Sequence, residues 1–132
     1  MLEQYPNDVK LVFKNFPLER IHKSARAASI AALAANQQGK FWEFHGELFK
    51  NYNKLSDEKI DEIAQTLELD MAQFKQDRES PALTAMVQRD LKDGVDAGVR
   101  GTPTIFVNGR LLQQRSLPGF KQVIDEELAK KK

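Results

Sequence analysis

The stretch Gly101-Thr102-Pro103-Thr104-Ile105-Phe106-Val107-Asn108-Gly109 constrains the fold more than any other part of the sequence. Thr104, Ile105, Phe106 and Val107 are β-branched or aromatic, the composition of a buried strand. Asn108-Gly109 supplies the two positive φ angles of a type I′ turn, so Arg110-Leu111-Leu112 is expected to return beside that strand as a hairpin. Pro103 has no N–H to give to a ladder and belongs at the strand's first position. Gly101 frees the backbone just before it, and the Thr102-Pro103 bond is a candidate for the cis isomer.

The rest of the chain is read against that hairpin. Met1 to Tyr5 reads as the last turn of a helix, stopped by Pro6 and turned by Asn7-Asp8. Val9, Leu11, Val12, Phe13 and Phe16 then predict a strand that Pro17 terminates. From there to Gly98 the pattern is helical. His22-Lys23-Ser24 opens an alanine-rich helix that Gly39 ends, and Phe41, Phe44 and Leu48 share the inner face of the next. Ser56 is an N-cap candidate, with Leu55 placed to staple onto Ile60. Asp70 with Gln73 has the spacing of a capping box, and Ser80-Pro81 supplies an N-cap and a first helical residue. Leu83, Val87, Leu91 and Val95 line one face of the helix that follows. Ser116 to Lys130 closes the chain as a helix through Phe120, Val123, Ile124 and Leu128. Segregated strands around a helical block predict an α/β core with a helical insertion.

Composition narrows the chemistry. With 132 residues the chain is sized for a single domain with a real core. A net charge of +1 gives no electrostatic argument for nucleic acid or an anionic membrane, and Lys130-Lys131-Lys132 suits a helix C-terminus. No apolar run approaches the roughly 20 residues of a membrane span. There is no cysteine, so these residues supply neither disulfides, thiolate catalysis nor cysteine metal sites.

Taken in order, several segments resemble the DsbA-like branch of the thioredoxin superfamily. Tyr5-Pro6, Val9-Lys10-Leu11-Val12-Phe13 and Phe16-Pro17-Leu18 resemble that family's second strand, and Ile21-His22 with Ala25 resembles the entry to its first inserted helix. Lys23 stands where relatives often have proline. Gly98-Val99-Arg100-Gly101-Thr102-Pro103-Thr104 resembles the cis-proline segment. The resemblance implies a single DsbA-like domain over 1–132, with thioredoxin-like parts at about 1–18 and 99–132 and the helical insertion at about 19–98. It also implies thiol–disulfide oxidoreductase ancestry, a periplasmic or other extracytoplasmic setting, no cofactor, and an extended peptide or protein substrate held at Thr102 and Pro103. In the family, a Cys-X-X-Cys pair at a helix N-terminus attacks a disulfide through a mixed-disulfide intermediate. No residue here replaces those thiols, so no catalytic residue is assigned and the chain is expected to be redox-inactive. Relative to the family, the first strand and the start of the first helix are expected to be missing. That leaves a slot that must be closed by pairing Val9–Phe16 with Thr104–Val107 or filled by a partner, with homo-oligomerisation the expected result. A non-redox peptide-binding or assembly module is the alternative. A glutathione-binding relative of the same superfamily finds no carboxylate-binding site in the sequence to support it.

Other constellations carry less. His22 suits a helix start and His45 a packed helix position. Glu43, His45 and Glu47 are two apart on a helix and point different ways, so no metal site is expected. Ser80 and Ser116 sit in cap contexts without a nucleophile elbow. The cluster Phe41, Trp42, Phe44, Phe49 and Tyr52 either lines a peptide groove or builds the core of the helical block.

Overall fold

A computed structural model describes residues 1–18 and 23–131. His22, Ile21 and Lys132 lie outside the described residues. Among those described, six helices and one hairpin follow in order: α1 (Ala25–Asn36), α2 (Phe41–Lys50), α3 (Asp57–Thr66), α4 (Met71–Arg78), α5 (Pro81–Asp96), β1 (Phe106–Val107), β2 (Arg110–Leu111) and α6 (Leu117–Lys130). The chain divides into two compact units, one made of Lys14–Gly98 and the other of Met1–Phe13 with Val99–Lys132.

In the helical unit, α1 is the central element and touches α2, α3, α4 and α5. Its sequence explains why. Ala28, Ala31, Ala32, Ala34 and Ala35 are all buried, and side chains of one carbon let four neighbours approach. The bulk comes from the partners: Phe44 from α2, Ile60 from α3, Phe74 from α4 and Val87 from α5 are sealed from solvent. Phe44 and Phe74 meet with ring centroids 5.7 Å apart. Leu83 and Val87 form the expected inner stripe of α5 and Leu91 continues it half-buried, but Val95 is largely exposed.

The helix starts are set by side chains. Ser56, Asp70, Ser80 and Ser116 each accept a hydrogen bond from a backbone N–H of the following turn, satisfying donors that a helix leaves open. The predicted capping box at Asp70 is only half formed. Gln73 donates its amide to Asp77 instead. The Asp70 N–H goes to Gln38 Oε1, and Gln38 Nε2 returns to the Asp70 carbonyl, joining the region after α1 to the start of α4. Ser24 precedes α1 without capping it; its hydroxyl donates to the Leu55 carbonyl.

The predicted strand over Val9–Phe16 does not form. Among the described residues the sheet has two strands, β1 and β2, and the expected pairing of Val9–Phe16 with Thr104–Val107 is not among its ladders. A strand persists through ladder bonds, and here a helix takes one donor. The backbone N–H and side-chain amide of buried Asn15 both go to Asp90 on α5, at 2.9 and 3.1 Å. Lys14 pairs with Asp93 one turn on. Leu11 and Val12 are left 50% and 67% exposed.

Candidate functional site

The hairpin is built as its sequence dictates. Asn108 and Gly109 take φ of 48° and 82°, and Phe106 faces Leu111 while Val107 faces Arg110. One further ladder bond, Leu112 N–H to the Ile105 carbonyl at 2.8 Å, extends it toward Pro103. The regular strand is shorter than the apolar run Thr104–Val107, and it is not buried as that composition implies. Phe106 and Leu111, opposite one another, are both exposed, while Leu112 is buried.

Carboxylates on α6 grip the turn. Glu127 accepts hydrogen bonds from Lys130, Arg110 and Asn108, which together hold its carboxyl down at about 2. Arg110 also pairs with Glu126 at 2.9 Å. The hairpin is thus fastened at its tip, which fixes where its other end, the Thr102–Pro103 segment, leaves the sheet.

That segment is a bend closed by side chains on both sides. The Thr102–Pro103 peptide bond is cis. Thr104 Oγ1 donates to the Gly101 carbonyl at 2.6 Å. From beyond the hairpin, the Arg115 guanidinium donates to the Pro103 carbonyl. Thr102 and Pro103 themselves are exposed. Arg115 was not among the residues singled out in the sequence, although one signal is there. Between Asp96 and Asp125 the chain has four cations, Arg100, Arg110, Arg115 and Lys121, and no acid.

The other singled-out residues, His45 and the aromatic cluster, belong to the helical unit. His45 lies on α2 within 5.6 Å of the Phe41 and Trp42 rings and 4.7 Å of Phe49, and burial lowers its pKa. The aromatic cluster divides. Phe44 belongs to the core, whereas Trp42, Phe49 and Tyr52 are mostly exposed. Among the described residues no group of three or more His, Asp or Glu side chains could hold a metal ion. No described helix is long and apolar enough to cross a membrane.

A family model described as Thioredoxin matches residues 1–126. The chain belongs to the thioredoxin family. A thioredoxin-like oxidoreductase from Silicibacter pomeroyi DSS-3 has the same fold, with a TM-score of 0.79 and 28% identity over 98% of this chain and 73% of that one. The thioredoxin-fold, DsbA-like reading of the sequence is therefore borne out. Thioredoxin-family similarity extends to larger proteins. The chain is 35% identical over 111 residues to the Na(+)/H(+) antiporter NhaA 1 of Salinispora arenicola, covering 83% of this chain and 17% of the antiporter. It is 37% identical over 107 residues to NhaA 1 of Mycolicibacterium vanbaalenii, covering 80% and 17%. The antiporter name describes those whole proteins, and the chain spans about a sixth of their length.

Proposed function

We propose that this thioredoxin-family chain binds extended polypeptide at the Thr102–Pro103 loop and does not itself exchange disulfides. The observation that carries this reading is the loop's construction. Two exposed residues are bracketed by hydrogen bonds from Thr104 to the Gly101 carbonyl and from Arg115 to the Pro103 carbonyl, while the Thr102 backbone and the Pro103 ring stay exposed. A fixed, open backbone segment at the end of a strand suits main-chain recognition of an extended partner, in which backbone hydrogen bonds give affinity and neighbouring side chains give preference. Thr102 and Pro103 are the binding residues in this reading.

The redox half of the proposal rests on chemistry. Dithiol–disulfide exchange needs a thiolate to attack and a second thiol to resolve the mixed disulfide, and these residues contain no sulfur nucleophile. Catalysis of exchange requires thiols from another polypeptide or another segment. The family's extracytoplasmic setting is part of the same reading. The test pairs two measurements. A labelled unstructured peptide should bind the chain, and Pro103→Ala should weaken that binding, while insulin reduction should show no turnover above the uncatalysed rate. Undiminished binding by the variant, or turnover by the cysteine-free chain, would overturn the respective half.

A second reading, an assembly module, is favoured by one observation. Leu11 and Val12 are exposed in a segment that pairs with neither strand of the sheet. In that reading a second copy of the chain covers this apolar segment, and association rises with concentration.

A further inference from the structure

We propose that Arg115 makes the Thr102–Pro103 loop selective for acidic polypeptide, an inference that rests on the peptide-binding reading and names its substrate class. The argument begins with how Arg115 is placed. It sits in the tight turn before α6, where the Ser116 N–H reaches the Gln114 carbonyl at 3.0 Å and Ser116 Oγ accepts from the Gly119 N–H at 3.2 Å. Gly119 is required there. A Cβ on it would lie 2.0 Å from the Gln114 carbonyl oxygen, so only glycine lets the helix close onto this turn. The turn that carries Arg115 is therefore packed closely against the start of α6.

From this position the guanidinium donates to the Pro103 carbonyl. A guanidinium has five N–H donors in a planar fork, so this bond leaves donors and the full charge at the loop. The charge is not spent elsewhere. Arg110 is taken by Glu126 and Glu127, and Lys121 by Asp125. Among the described residues neither Arg115 nor Arg100, two positions before Thr102, makes an ion pair. The run from Ala97 to Ile124 contains no acid to neutralise them. A polypeptide laid along Thr102–Pro103 thus meets uncompensated positive charge beside the backbone contact. An Asp or Glu side chain on that polypeptide pairs with the fork, and a Lys is repelled.

The effect is that of a solvent-exposed ion pair, about two- to five-fold in affinity at low salt, and it fades as salt screens the charges. The test uses three unstructured peptides of one sequence with Asp, Asn or Lys at a single position, titrated calorimetrically against the intact chain. The expected order is Asp tighter than Asn tighter than Lys. Arg115→Gln, which keeps an N–H donor but no charge, should collapse the Asp-to-Lys ratio toward one, and Arg115→Lys should retain most of it. Thermal melts establish that each variant is folded. Equal affinities for the three peptides in the wild type, or an unchanged ratio in Arg115→Gln, would overturn the inference. If binding is charge-blind yet weakened by Pro103→Ala, only the acidic preference fails. If none of the peptides binds, the peptide-binding reading fails and takes the preference with it.

Discussion

Tyr5 donates its hydroxyl to Asp125 at 2.7 Å, joining residues 120 positions apart and tying the start of the chain to α6. The bond shifts both partners in the directions a shared proton demands. Tyr5 is pushed up from 10.0 to about 12, first by the hydrogen bond to Asp125, and the Asp125 carboxyl is held below 3.8, first by Tyr5 and then by Lys121. The depressed carboxyl contributes stability above pH 3.8, lost as pH falls through its lower folded value. The raised phenol contributes fully below pH 10.0, and that contribution is lost as pH rises through about 12. Tyr5→Phe is therefore expected to lower Tm across the neutral range, with a deficit that shrinks under acid. Melts of both proteins across pH check this, and a pH-independent deficit would contradict it.

Asn15 is 4% exposed and depends on a single carboxylate, Asp90. Asp90→Ala leaves a buried amide and a backbone N–H without an acceptor, a loss of about 2 kcal/mol. The neighbouring Lys14–Asp93 pair is exposed, and Lys14→Ala should change stability little. Urea unfolding of the two variants separates a buried acceptor from a surface ion pair.

Glu68, just after α3, has φ of 60°, a left-handed conformation normally filled by glycine. The N–H of Leu69 reaches the Ala64 carbonyl at 3.1 Å across this residue. Glu68→Gly relieves the strain and should stabilise the protein by about 0.5–1 kcal/mol despite a more flexible unfolded chain. A lower denaturation midpoint for this variant would contradict the backbone argument.

The close approach at Gly119 predicts the opposite sign. Gly119→Ala should destabilise by about 1–3 kcal/mol, because the added methyl group meets a backbone carbonyl that cannot swing aside. Differential scanning calorimetry gives the value.

Features set by neighbours in sequence were legible from it. Asn108-Gly109 produced the hairpin turn, and Ser56, Asp70, Ser80 and Ser116 are caps because each is followed by a turn with open N–H groups. The buried face of Phe44 and Leu48 followed from helical period alone. What failed depended on long-range partners. Val9–Phe16 has strand composition, yet composition cannot supply a ladder, and Asp90 takes the Asn15 donors. Gln73 has capping-box spacing, but Asp77 and Gln38 compete for the same groups. Phe106 and Leu111 are β-formers whose exposure depends on what covers the sheet, which local pattern does not encode. At the loop, Pro103 stood out as a residue type, whereas Arg115 acquires its place only when the hairpin folds back to bring positions 103 and 115 together.

The claim that Thr102 and Pro103 hold an extended polypeptide is tested most directly by residue-resolved NMR titration of the isotopically labelled chain with an unstructured peptide bearing one Asp. Saturable shifts are predicted at Gly101, Thr102, Thr104 and the Arg115 side chain, and Pro103→Ala should abolish or weaken them. No saturable shift in that loop, or shifts confined to the exposed aromatics Trp42, Phe49 and Tyr52 on and after α2, would contradict the claim.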